Sequence, residues 1–143
     1  MKAGEVSAEI EQKAIDEMKL MEGAVELVQF LEENGLHRAV LTRNLEKNLH
    51  YMRGLYLDEF EKEMDNGESI FYPIVARDTK AHPHHEEPLR AKPNPDGILH
   101  ICSVWECHPS EIIMVGDSAN DDMTAANRAG CRGAVLLTQR GGK

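Results

Sequence analysis

Three aspartates, Asp117, Asp121 and Asp122, fall within six residues of one another and directly follow the apolar run Ile113-Met114-Val115-Gly116. An acid at the end of a strand, with two more in the next helical turn, offers hard oxygen ligands on one side. Mg²⁺ suits such a set, because it takes few carboxylates and fills its shell with water. The helix dipole alone favours acids in a first turn, and this covers Asp121 and Asp122. It does not cover Gly116-Asp117 at the end of an apolar run, so the metal reading is preferred. Thr42 is a second candidate. Its hydroxyl and the backbone N–H groups of Arg43 and Asn44, at a helix start, suit phosphate oxygens; a plain helix cap is the alternative. Lys92 is a third. The segment Ala91-Lys92-Pro93-Asn94-Pro95 is stiff enough to fix a cation beside a phosphate or a carboxylate. Alone, it reads better as a solvated loop lysine.

The elements that must hold these residues follow from periodicity. Ile10, Ala14, Ile15 and Met18 share one helical face over residues 7–19, with Ser7 as cap. Met21, Ala24, Val25, Val28 and Leu31 continue at three- and four-residue steps, and Asn34-Gly35 stops them. Ala39-Val40-Leu41 reads as a strand ending at Thr42, and residues 45–56 as a helix. Ser69 to Ala76 reads as a strand. Residues 77–94, with charges, prolines and three histidines, read as a loop. Asn94-Pro95 predicts a helix capped by Asn94, with Ile98, Ile101, Cys102 and Trp105 inward. Ile112 to Val115 is a strand, Ala119 to Arg128 a helix closed by Gly130, and Ala134 to Leu137 a strand. Alternating helices and short apolar strands predict an α/β parallel sheet flanked by helices. Thr42, Arg77-Asp78 and Asp117 then share the carboxyl rim, where such sheets bind ligands.

Composition narrows the partners. The chain has 143 residues and a net charge of −9. That balance argues against a nucleic acid or an anionic membrane as partner. A phosphorylated small molecule remains compatible, since a few local cations and a metal can hold it. Cys102, Cys107 and Cys131 form neither an even set nor a CxxC pair, so free thiols in a reducing compartment are expected. Cys102 and Cys107, five apart on a helix, are expected to pack separately. The first residues lack an apolar signal core, which predicts a cytoplasmic protein, or an organellar one if a targeting peptide precedes Met1. His82, His84 and His85 with Glu86 and Glu87 lie in a proline-broken loop and are expected to be solvated.

The order strand-Thr-Arg-Asn, then Lys-Pro-x-Pro, then Val-Gly-Asp-Ser-x-x-Asp-Asp resembles the haloacid dehalogenase-like hydrolases, and among them the phosphoglycolate-phosphatase-like or phosphonatase-like branch. Leu41-Thr42-Arg43-Asn44 resembles the second family motif, Lys92 the third and Gly116-Asp117 to Asp122 the fourth. The resemblance runs from about Ala14 to Leu137. It implies a partial Rossmann-like domain over residues 21–143, with residues 1–20 a cap remnant or linker helix. It also implies a Mg²⁺-dependent phosphatase of small phosphate esters, working through an aspartyl-phosphate. Thr42, with Arg43 and Asn44, would then hold the phosphoryl group, and Lys92 would restrain charge. Asp117 with Asp121 or Asp122 would place Mg²⁺, both spacings occurring in the family.

The first family motif, an apolar strand entering Asp-x-Asp-x-Thr, has no match. The aspartates are 16, 58, 65, 78, 96, 117, 121 and 122, and the residues two places on are Met, Phe, Gly, Lys, Ile, Ala, Met and Thr. The first Asp of that motif is the nucleophile and the second the general acid and base. Asp78 is a poor substitute, having no acid two residues on. The resemblance also implies that the first-motif strand lies between the strands ending at Thr42 and Asp117, leaving a gap of roughly 9.6 Å. Two expectations follow. One is a phosphatase domain that is inert alone, because the chain begins within the family's cap region. The other is a non-catalytic binding or regulatory protein that keeps the phosphate and metal pocket, or pairs with a partner chain supplying or covering the strand.

Overall fold

The computed structural model describes residues 23–48 and 71–138. The expected helix over 7–19, the body of the helix over 45–56 and the start of the strand at Ser69 lie outside them. The chain divides into two compact units, residues 1–38 with 47–70, and residues 39–46 with 71–143. The first contains helix α1 (Ala24–Glu33). α1 begins after Gly23 and ends at Asn34-Gly35. Gly35 takes φ 64°, a conformation that a side chain would strain. Among the described residues the apolar stripe expected on this helix has no buried member, and Phe30 is 56% exposed.

The second unit holds the strands. β1 (Val40–Leu41) pairs in parallel with β2 (Ile74–Val75). β3 (Ile113–Gly116) pairs in parallel with β4 (Gly133–Leu136). The parallel direction and a sheet interrupted between these pairs are as expected. Among the described residues the strands form two two-stranded ladders, with none between β1 and β3. These are the strands between which the family places its first-motif strand. β2 is shorter than expected: Pro73 lacks an N–H donor, although its carbonyl still accepts from Val40 N–H at 3.2 Å.

Helix α2 (Asp96–Trp105) and helix α3 (Thr124–Ala129) pack against each other. Ile98, Cys102, Ala125 and Ala126 form the buried cluster, with Leu41, Ile112 and Met114 packed against it. α2 runs close to the first strand pair because Gly97 has no side chain. A Cβ there would lie 2.5 Å from Leu41 Cδ1. The expected Asn94 cap is not made: α2 starts after Pro95 without a side-chain cap. The Asp96 carboxylate is taken instead by the Arg90 guanidinium, at 2.8 and 3.0 Å. Trp105 Nε1–H donates to the Tyr72 carbonyl at 2.8 Å and ties the far end of α2 to the segment entering β2.

Candidate functional site

The strand β3 delivers Gly116 and Asp117 to its carboxyl end. Asp117 is exposed there. Ser118 then starts a π-helical turn, Ala119–Met123, that leads into α3. Its carbonyl accepts from Asp122 N–H at 2.9 Å and from Met123 N–H at 3.2 Å, five residues on. A π turn holds one more residue than an α turn. The extra residue separates two adjacent acids that a sequence pattern treats as interchangeable.

Asp122 points inward. It is 3% exposed, and its Oδ1 pairs with Lys92 Nζ at 2.5 Å. Its Oδ2 accepts from Ser118 N–H at 3.1 Å. A Cβ at position 116 would collide with this carboxylate, so the glycine before Asp117 makes room for Asp122. Lys92 Nζ also donates to the Leu41 carbonyl at 3.2 Å. Lys92 is therefore not a solvated loop lysine: its side chain is 11% exposed and its partner's 4%. A buried charge pair of this kind is tolerable only when both partners are further hydrogen bonded, and both are.

Asp121 points outward to the second-motif segment. Its Oδ2 pairs with Arg43 NH1 at 3.0 Å, and its N–H donates to Ser118 Oγ at 3.0 Å. Thr42 Oγ1 accepts from Asn44 N–H at 3.1 Å, while Thr42 N–H continues the ladder to the Val75 carbonyl at 2.9 Å. Thr42, Arg43, Lys92, Asp121 and Asp122 are thus linked through Leu41 and Ser118 across the two strand pairs. Asn44 faces the other way through its carbonyl, which accepts from Arg77 N–H at 3.0 Å.

Asp78 has a structural task. Its Oδ1 accepts from Glu46 N–H at 3.0 Å, capping the helical turn that starts there. The loop over 77–94 is ordered by Leu89 N–H donating to the Thr79 carbonyl at 2.8 Å and by the Arg90–Asp96 pair. The Arg90 guanidinium holds the Asp96 carboxyl below the usual range. The His82 and His84 rings lie 5.0 Å apart at their centroids, yet no three His, Cys, Asp or Glu side chains among the described residues are placed to hold a metal ion. Sequence reading missed Ser118, which orients both acids. Its signal was present in Ser118-Ala-Asn-Asp121, the Ser-x-x-acid pattern of a helix start.

The fold is a partial Rossmann-like α/β domain, with polar groups gathered at the carboxyl ends of parallel strands. A family model described as haloacid dehalogenase-like hydrolase matches residues 3–130, and the chain belongs to that family. A haloacid dehalogenase-like hydrolase domain-containing protein of Arabidopsis thaliana is 37% identical over 135 residues, covering 94% of this chain and 47% of its own length. A phosphoglycolate phosphatase of Thiobacillus denitrificans is 32% identical over 111 residues, covering 77% and 40%. The crystal structure of a predicted phosphoglycolate phosphatase from Haemophilus somnus superposes with a TM-score of 0.63 at 26% identity, covering 84% of this chain and 45% of that one. These similarities lie in the phosphoglycolate-phosphatase-like branch. The chain spans about half the length of the curated relatives it matches.

Proposed function

We propose that these 143 residues carry the phosphate-holding and metal-placing half of a phosphatase site for small phosphate esters. The supporting observation is the Lys92 bridge, which joins the carbonyl of Leu41, next to Thr42, to Asp122 in the fourth-motif segment. It brings the three family-like segments to one place although they lie far apart in sequence. The Thr42 hydroxyl and the Arg43 N–H are the donors for phosphoryl oxygens, since Asn44 N–H already serves Thr42 Oγ1. Lys92 supplies fixed positive charge.

The acids divide the metal role. Both Asp122 oxygens are engaged by Lys92 and Ser118, so Asp122 positions Lys92. Asp117 and Asp121 remain for Mg²⁺, and two carboxylates with water and a phosphate oxygen fit that ion. When bound, Mg²⁺ supplies charge neutralisation at the phosphoryl oxygens. The nucleophile and its acid–base partner are not among these residues, because the sequence has no Asp-x-Asp. The 143-residue chain is inert by itself, and a strand bearing that pair, supplied at the gap between β1 and β3, completes the site.

Phosphoglycolate is the first ester to assay, since it is the compound in the names of several relatives. With Mg²⁺ the expected rate equals the buffer background, while inorganic phosphate binds measurably by calorimetry and Thr42→Ala removes the heat. Turnover that disappears in Asp117→Asn would overturn the inertness. Absence of phosphate binding would overturn the pocket.

A further inference from the structure

Cys102, Cys107 and Cys131 are not grouped in the sequence, but they converge in the structure. α2 and α3 end in the same manner. Glu106 and Gly130 each take the left-handed conformation just past the last turn, with φ 53° and 81°. The next N–H then turns back over the helix end. Cys107 N–H donates to the Cys102 carbonyl, and Cys131 N–H to the Ala126 carbonyl, each at 3.0 Å. Glu106 N–H to Ser103 and Gly130 N–H to Asn127 complete the pattern at 3.3 and 3.2 Å. This is the Schellman ending, which folds the residue after the cap onto the helix it terminates. Cys102 and Ala126 belong to one buried cluster, and Cys107 and Cys131 pack against it.

An apolar contact usually accompanies this ending. Here both partners in the α2 ending are cysteines. A carbonyl-to-amide hydrogen bond of 3.0 Å between them limits their Cα separation to about 7 Å at full stretch, and any bend brings it within the disulfide range. Burial, followed by the neighbouring Cys107, raises the Cys102 thiol pKa to about 11. Cys102 is 5% exposed, whereas Cys107 is half-buried, so reagents reach Cys107 first.

We propose that Cys107 and Cys102 form a thiol–disulfide exchange site for low-molecular-weight disulfides such as oxidised glutathione. The Cys107 thiolate attacks one sulfur of the glutathione disulfide. That S–S bond breaks, a Cys107–glutathione bond forms, and one glutathione leaves as its thiolate. Cys102 gives its proton to solvent and attacks the Cys107 sulfur. The Cys102–Cys107 bond forms, and the second glutathione leaves and is protonated. Two protein thiols are oxidised by two electrons, and one glutathione disulfide becomes two glutathiones.

The test uses the full chain equilibrated with oxidised glutathione, alkylated, digested with trypsin and weighed. Cys102 and Cys107 share the peptide 91–128, while Cys131 lies beyond Arg128. The expected result is that peptide lighter by two hydrogens, unalkylated at both cysteines and restored by dithiothreitol. Cys131→Ala leaves this result unchanged. A stable glutathione adduct at Cys107 without closure, a bridge to Cys131, or full alkylation of both cysteines would overturn the proposal.

Discussion

The shorter strand pair is the better buried one. β1 and β2 contribute two residues each, and Val75 is 2% exposed. β3 and β4 contribute four each, yet Ile113 is 58% exposed and Val135 48%. Ladder length and burial are thus separate sources of order here. The first pair is held by side chains packed under α2 at Gly97. The second is held by its ladder and by the π turn that follows it. Both pairs touch the buried cluster through Leu41 and Met114, and the side-chain ties that span them are polar: Lys92 spans Leu41 and Asp122, and Arg43 pairs with Asp121.

The strongest way to break that comparison is to cut the polar tie. Asp122→Ala leaves Lys92 buried without its counter-charge, and a loss of about 3–5 kcal/mol is expected in urea unfolding. A loss below about 1 kcal/mol would mean that the halves do not depend on the bridge. The two crowded glycines sharpen it further. Gly116→Ala drives a Cβ into the Asp122 carboxylate and is expected to cost about 1–3 kcal/mol. Gly97→Ala meets the flexible end of Leu41 and, at 3.4 Å, Val75 Cγ1; crowding of about 1–3 kcal/mol is partly offset by about 1 kcal/mol of helix propensity gained, so a net cost of about 1 kcal/mol is expected. The reverse order would show that α2 against β1 is the more rigid contact.

Alkaline pH probes the cluster that both pairs share. The folded state keeps the Cys102 proton up to about 11, against an ordinary thiol value of 9.0, because the thiol is buried. The unfolded chain loses it first, so stability is whole below about pH 9 and falls as pH rises toward 11. A decline of up to about 2 kcal/mol is expected in thermal melts, and Cys102→Ala should flatten its slope. Arg43→Ala should have the smallest effect. Its pair with Asp121 is 61% and 29% exposed, so a change of at most about 1 kcal/mol is expected.

Much of the architecture was legible in the sequence because it rests on local signals. Gly35 and Gly130 stop their helices through the conformation that glycine tolerates. The apolar runs ending at Thr42 and Asp117 are parallel strands with polar ends. Other features depended on tertiary choices. Asn94 has the composition of a cap, but Asp96 was drawn to Arg90 and the helix began later. Asp121 and Asp122 have the same chemistry, and only the folded turn reveals that Asp122 meets Lys92 while Asp121 meets Arg43. Cys107 lies on the wrong side of a continuous helix. It reaches Cys102 because Glu106 turns the chain back, and a glutamate gives no warning of a left-handed residue.

The Lys92 contact with Leu41 also bears on colloidal behaviour. Val40 and Thr42 send their N–H groups to β2, so strand alternation turns the backbone groups of Leu41 to the opposite side, where no strand pairs among the described residues. An unpaired strand edge of apolar residues invites a second molecule to dock and begin a fibril. Lys92 places an ammonium group on the carbonyl that such a molecule would need first. Any strand adding to β1 on that side, the one proposed to complete the site included, must therefore first displace the Lys92 ammonium from the Leu41 carbonyl.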